Sequence, residues 1–505
     1  MRTCYTCRRR RLICDGGSPH CKKCEFNGVK CLGYIKPLTW IGGAATKGHL
    51  KQLSNSTAGL AVSGVCKNNL PASQAIPSPP LALTEPIFQD LSPESRFLVD
   101  YFEKRICHVL VLVDTERNPY RSLLSFIGPS RGVLHAVSAI SACHMVHSIT
   151  GVPVLSMPQD GTAKLSEVSQ GSSSISHSTL AVSGLLKSLF QSKHRALRCL
   201  YDALSNPQEG HECSTLTTAI LLVALDIWES GTRSWNVHLE GAKKLLESWA
   251  ESGQLESVNL RMLTGLITLE TCGSTLMLPG GLKTPLRSLL ADIPIRDAPD
   301  TSIVGCPYEI ASAIEIVTCQ RQMYTSARSD SDQATQPKDA DVKVLLQTLQ
   351  DLEKFDIDHW GHEMVQASSH HLSLSLSDLM HVGRIWKLAA IIYAQRIYSN
   401  ATMQFASPQS LVNDIIAEYI SVQHLDDATK ILMWPAFIAG AESTTTRQRQ
   451  YVLHILDRIW QITLSANAKN AALTLQQYWK QRESQTDAWN WTNETSLLND
   501  YWLFF

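Results

Sequence analysis

From residue 92 onward apolar side chains return every third or fourth position, the period of a helix with one buried face. Ser92-Pro93-Glu94 supplies an N-cap, a proline at the first helical position and an early acid, and Phe97, Leu98, Tyr101, Phe102 and Ile106 follow at helical spacing. Val382, Ile385, Ala389 and Ile392 show the same period. Alternating strand patterns bounded by hairpin turns are scarce, so this part of the chain is predicted to be mainly α-helical. The longest apolar runs, around Ile106–Val113 and Ala219–Leu225, fall far short of the ~18 residues a bilayer span needs, and no membrane contact is expected.

Polar tracts interrupt this pattern and suggest the domain limits. A chain of 505 residues exceeds one compact core, so two or more domains are expected. Residues from about 50 to 90 mix Ser, Ala, Gly and Pro and end in Ile76-Pro77-Ser78-Pro79-Pro80, the composition of a flexible linker. Ser156–Ser178, with its Gly171-Ser172-Ser173-Ser174 run, and Thr325–Asp341 read as surface loops or disorder within the body. The expected organisation is a head at 1–34, a basic, flexible linker at 35–90 and a helical body at 91–505, with disordered loops near 156–178 and 325–341.

The head shows no helical periodicity and carries six cysteines instead: Cys4, Cys7, Cys14, Cys21, Cys24 and Cys31. The spacing C-x2-C-x6-C occurs twice, the second trio repeating the first after 17 positions. Such a cluster is either a disulfide framework or a metal site. Met1-Arg2-Thr3 leads straight into the cysteines with no apolar targeting segment, so an intracellular, soluble protein with reduced thiols is expected and metal is favoured. A segment of about 30 residues cannot bury enough apolar surface to fold alone, so the metal must supply the fold. Zinc takes four tetrahedral thiolates; six serve two ions only if two of them bridge. The other eight cysteines, Cys66 to Cys319, lack CxxC spacing and read mostly as buried small hydrophobes.

Charge sharpens the picture. The apolar share of 44% is ordinary and the net charge of -1 is uninformative, but residues 1–50 carry +8 and the remainder -9. A basic head on an acidic body is the footprint of a polyanion-binding protein. Cys7–Cys14 reads C-R-R-R-R-L-I-C, one or two helical turns that would fan Arg8, Arg9, Arg10 and Arg11 around the metal. Arginine forks match guanine O6 and N7 as well as phosphate. These four, with Lys22 and Lys23, are the candidate DNA contacts; the same run could serve nuclear import.

The head resembles the fungal binuclear zinc cluster family of transcription regulators. The resemblance implies two zinc ions, with Cys4 and Cys21 bridging, Cys7 and Cys14 completing one site and Cys24 and Cys31 the other. The family's R-x-R-K-x-K-C-D is matched at Arg8, Arg10 and Asp15, with Arg11 in place of lysine; Pro19 and Gly28 also fit. Ile13 departs from it, standing where a basic residue usually precedes the third ligand, which puts one DNA contact in question. CGG-type triplets are the implied target, with Arg10 and Arg11 as readers.

No heptad zipper follows Cys31; Gly33-Tyr34, Trp40 and Gly42 instead resemble one large subgroup of the family. The body resembles the fungal-specific transcription factor domain at Tyr101-Phe102, Asn118-Pro119-Tyr120-Arg121, Trp235–Leu245 and Trp434–Gly440. The fold class expected is thus a small zinc-stapled head of two short helices plus a mainly α-helical regulatory domain. The implied function is a nuclear, zinc-dependent regulator of RNA polymerase II promoters, controlling a metabolic or secondary-metabolite gene cluster. Its expected partners are double-stranded DNA, a second copy in a homodimer, and a coactivator or small-molecule effector. The alternative makes the body a metabolite-sensing receptor that the head tethers to DNA.

Nothing reads as an enzyme. His359, His362 and Glu363 in H-W-G-H-E, near His370 and His371, do not follow H-E-x-x-H, and Asp426-Asp427 lacks a third carboxylate at the spacing of a diphosphate-magnesium site. No phosphate-binding loop or nucleophile elbow occurs in a strand-turn-helix setting.

Overall fold

A computed structural model describes residues 3–4, 6–7, 10, 12–17, 20–31, 90–115, 118–156, 175–206, 213–231, 234–252, 260–277, 285–290, 305–329, 339–367, 374–404, 407–484, 491–492 and 503. The chain divides into two compact units, Met1–Ala82 and Leu83–Phe505. Among the described residues there is no strand. The head contributes α1 (Lys22–Phe26). The body contributes α2 (Pro93–Tyr101), α3 (Pro119–Ser122), α4 (Arg131–Thr150), α5 (Ile175–Ser205), α6 (Cys213–Glu229), α7 (Ser234–Ser252) and α8 (Leu260–Ser274). It continues with α9 (Leu286–Leu289), α10 (Tyr308–Ser329), α11 (Asp339–Lys354), α12 (Ile357–Ala367), α13 (Leu376–Thr402) and α14 (Gln409–Ser421). α15 (Leu425–Thr429), α16 (Met433–Glu442), α17 (Thr446–Thr463) and α18 (Ala466–Ser484) complete it.

Local sequence accounts for many of the helix ends. Ser92 caps α2 by accepting the Ser95 N–H, with Pro93 at the first helical position as its sequence predicts. A π-turn at Phe102–Ile106 continues α2. The buried stripe there is Leu98, Val99, Phe102 and Ile106; Phe97 lies off its edge and is 53% exposed. Thr445 and Gln448 form a reciprocal capping box on α17. Pro435 falls in the first turn of α16, where a missing N–H costs no helical bond. The tracts expected as loops lie largely outside the described residues, but their edges are helical: 175–178 opens α5, 325–329 closes α10 and 339–341 opens α11.

The body packs around two apolar cores that follow one another along the chain. The first gathers α2 through α8 and Leu286, and the second gathers α10 through α18, with Val382, Ile385, Ala389 and Ile392 all buried. α8 serves both, giving Leu266 to the first and Cys272 to the second, which Leu276 just past its end also joins. From Thr215 to Glu229 every residue of α6 is buried, which is why Ala219–Leu225 is an unbroken apolar run. α4 is the one helix among the described residues long and apolar enough to cross a membrane, and 72% of its apolar window packs inside the body. Core burial accounts for that composition.

The far end of the chain is stitched to both cores. Trp491 is fully buried and donates its indole N–H to Glu442 Oε1 at 2.8 Å, while the Leu503 N–H donates to the Gly231 carbonyl at 2.9 Å. Gly231 holds φ +73°, and a Cβ there would sit 2.9 Å from the Leu503 carbonyl oxygen and 2.4 Å from Asn467 Oδ1. Gly231→Ala is expected to lower stability by at least ~1 kcal/mol from left-handed strain alone, with the clash adding to it. A reduced thermal midpoint of the purified chain checks this; an unchanged midpoint would remove the constraint.

Candidate metal centre and nucleic-acid interface

The 17-residue sequence repeat is written into the backbone of the head. Cys4 Sγ accepts the Cys7 N–H at 3.3 Å, and Cys21 Sγ accepts the Cys24 N–H at 3.4 Å, so each first cysteine caps the turn that carries the second. Arg10 N–H donates to the Thr6 carbonyl as Asn27 does to Lys23, and Leu12 N–H donates to Cys7 as Val29 does to Cys24. These partners are related by the same shift as the cysteines. The result is two matching turns, one at Thr6–Cys7 and one in α1, each presenting sulfur inward. Gly28 takes φ +61° just past α1, the left-handed conformation in which glycine has no Cβ penalty.

The sulfurs converge into two overlapping sets. Cys4, Cys7, Cys14 and Cys21 bring their Sγ atoms within 4.8 Å of one another, and so do Cys4, Cys21, Cys24 and Cys31. Cys4 and Cys21 belong to both and stand 3.5 Å apart. Cys4–Cys24 and Cys7–Cys21 are both 3.7 Å. With Zn–S bonds of about 2.3 Å the edge of a tetrahedron of thiolates is about 3.8 Å, so the donor set fits zinc. Burial pushes the Cys4 thiol up to about 12 and also raises Cys7 and Cys21. Cys14 moves the other way, to about 7, because the Cys4 backbone N–H donates to its sulfur. Zinc binds the thiolate form, so metal and protons compete for these sulfurs.

Asp15, matched only as part of a pattern in the sequence, has a structural task. Its carboxylate accepts the Lys22 N–H at 2.9 Å and the Lys23 N–H at 3.1 Å, closing the start of α1 from the other half of the repeat. Those bonds, led by the one from Lys23, hold its pKa below 3.8. Thr6 makes a second cross-tie, donating its hydroxyl to the Lys30 carbonyl at 3.0 Å. Of the candidate DNA contacts, Arg10, Lys22 and Lys23 are exposed, whereas Arg8, Arg9 and Arg11 lie outside the described residues, as does Pro19. Ile13 is 85% exposed.

Among the described residues the histidine-rich stretch in the body brings no metal site together. His359 pairs with Glu363 one turn along the exposed face of α12, and His362 bonds the Asp358 carbonyl. Asp426 accepts Arg458 and Asp427 pairs with Lys430; His370 and His371 lie outside the described residues.

Comparison with known proteins agrees with this geometry. Residues 2–41 match the fungal Zn(2)-Cys(6) binuclear cluster domain, and residues 96–505 match the fungal specific transcription factor domain. The chain belongs to the fungal specific transcription factor family, as a DNA-binding regulator with two zinc ions in its head, not an enzyme. It is similar to the acriflavine sensitivity control protein acr-2 of Neurospora crassa, 21% identical over 91% of this chain and 88% of that protein. Its head is similar to the aspercryptin biosynthesis cluster-specific transcription regulator atnN of Emericella nidulans, 56% identical over 36 residues, which cover 7% of this chain and 6% of that one. The transcriptional regulatory protein pro1 of Neurospora crassa is 46% identical over 44 residues, covering 9% and 6%. No solved structure gives a significant match.

Two outcomes are expected. Adding zinc to the metal-free chain in weak buffer releases protons, and zinc is lost again as the pH falls, because protons and metal compete for the same sulfurs. Asp15→Asn weakens the head at neutral pH, where the carboxylate is charged in both states. The wild-type advantage disappears as the pH falls through the depressed folded-state pKa below 3.8. Zinc retention followed against pH for both proteins checks this, and identical curves would deny Asp15 the role.

Proposed function

We infer that the head reads CGG-type triplets in double-stranded DNA and that the protein acts in the nucleus as a sequence-specific regulator of RNA polymerase II promoters. The observation that carries this reading is the closed, two-fold thiol cluster with exposed Arg10, Lys22 and Lys23 on the turns it pins. In this reading Cys4 and Cys21 bridge the two zinc ions, Cys7 and Cys14 complete one, and Cys24 and Cys31 complete the other. Six thiolates and two Zn²⁺ leave a formal charge of about -2, which the neighbouring arginines and lysines offset. Arg8, Arg9, Lys22 and Lys23 hold phosphates while Arg10 and Arg11 reach base edges.

The head at 1–34 and the body at 91–505 divide the work across a linker at 35–90. The body transmits control through a homodimer, a coactivator or a bound effector. A metabolic or secondary-metabolite gene cluster is the proposed set of targets, supported by the head's similarity to a regulator named for such a cluster.

Electrophoretic mobility shifts with the full chain test the DNA reading. CGG-containing duplexes should bind well above scrambled ones at about 150 mM salt, where non-specific binding is weak. Arg10→Ala should cost ~1–3 kcal/mol on the CGG duplex and little on the scrambled one. Ile13→Lys should raise affinity for both and steepen the dependence of log K on log salt by about 0.9, one added phosphate contact. Equal binding to both duplexes would end the reading. Native mass spectrometry tests the bridges: Cys31→Ser should keep one zinc and Cys21→Ser neither.

A further inference from the structure

A cavity of about 80 Å³ lies in the body where its two cores meet. On the measure by which one water needs ~10–15 Å³, this is room for roughly five to eight such volumes. Ile227 and Trp228 of α6 and Leu266 of α8 line it from the first core, and Trp386 of α13 and Trp434 of α16 from the second, with Lys430 beside them. Trp386 and Trp434 stack with centroids 5.5 Å apart and planes within 10°.

The polar groups in this lining are unevenly matched. Trp434 donates its indole N–H to Thr275 Oγ1 at 2.9 Å and Trp228 donates to the Thr463 carbonyl at 3.1 Å. The indole N–H of Trp386 is buried and has no hydrogen-bond partner among the described residues. Lys430 donates to the His108 carbonyl at 2.8 Å and to Asp427 at 3.4 Å, which leaves one of an ammonium's three donors uncommitted among the described residues. Its side chain is 3% exposed, and burial lowers its pKa against the pull of Asp427 and Asp114. Two lining hydroxyls donate to backbone: Thr463 to the Ile459 carbonyl and Ser465 to that of Ile227. The unspent donors are the Trp386 indole N–H and one Lys430 N–H.

We propose that this cavity is a receptor site for a one-ring aromatic compound bearing a carbonyl or carboxylate, its ring against the indole-lined wall and its oxygen on Trp386 and Lys430. Because its walls come from both cores, an occupant is held jointly by the two halves of the body and favours the arrangement that closes on it. The inference extends the proposed regulator by one ligand, and it rests on the body alone.

Four matched probes test it on the full, zinc-loaded chain: benzoate, acetophenone, toluene and aniline, followed by tryptophan fluorescence and thermal shift. Benzoate or acetophenone should bind at least about ten-fold more tightly than toluene or aniline. Preference for benzoate alone assigns a carboxylate, and for acetophenone alone a neutral carbonyl. Lys430→Met should remove a benzoate preference, and Trp386→Phe, which keeps a ring but loses the donor, should reduce binding of either oxygen-bearing probe. If no probe binds, if toluene or aniline binds as well as the others, or if both variants bind like wild type, the proposal is wrong. None of these readouts uses DNA, so failure of the site and failure of CGG reading are separate results.

Discussion

The buried side chains in the described part of the head are five cysteines and Thr6, with Cys31 half-buried against them. There is no hydrocarbon interior for this segment to fold around, and a chain this short could not provide one. Sulfur-metal bonding stands in its place. Each turn is oriented by the sulfur that caps it, so the bonds that hold the metal and those that start the turns share the same atoms. The turn that carries Arg10 is thus held by thiol geometry, with Asp15 and Thr6 tying one half of the repeat to the other.

The body answers to ordinary packing, with a few buried charges as exceptions. Lys193 of α5 sits against Asp226 and Glu229 of α6, and Lys243 of α7 lies 2.7 Å from Glu270 of α8. Burial raises the pKa values of all three acids, and each lysine offsets part of that cost. Such pairs add little net stability, but removing one partner strands a charge at a cost of about 3–5 kcal/mol. They therefore fix which helix faces which inside an otherwise non-directional apolar core.

These two kinds of construction separate two kinds of function. The head's chemistry is local: all six thiols lie within 28 positions of sequence. The body's cavity is assembled from helices as far apart in the chain as α3 and α17, so its lining is a property of the packed molecule.

The sequence by itself determined the metal centre, the basic surface beside it and the helical character of the body. A fixed cysteine spacing can satisfy a tetrahedral ion in few ways, and a 3.6-residue period admits one regular structure. It also determined individual ends, such as Ser92 and Pro93 at the start of α2. Phe97 shows the limit of that reading, since its spacing suited burial and only the packed stripe beside it excluded it. Tertiary structure alone decided that Asp15 closes α1, that Trp491 and Leu503 are pinned to different cores, and that Trp386 keeps a donor without a partner among the described residues where the cores meet. Each of these depends on residues brought together across the fold, and hydrophobic periodicity carries no information about which distant partner a side chain will find.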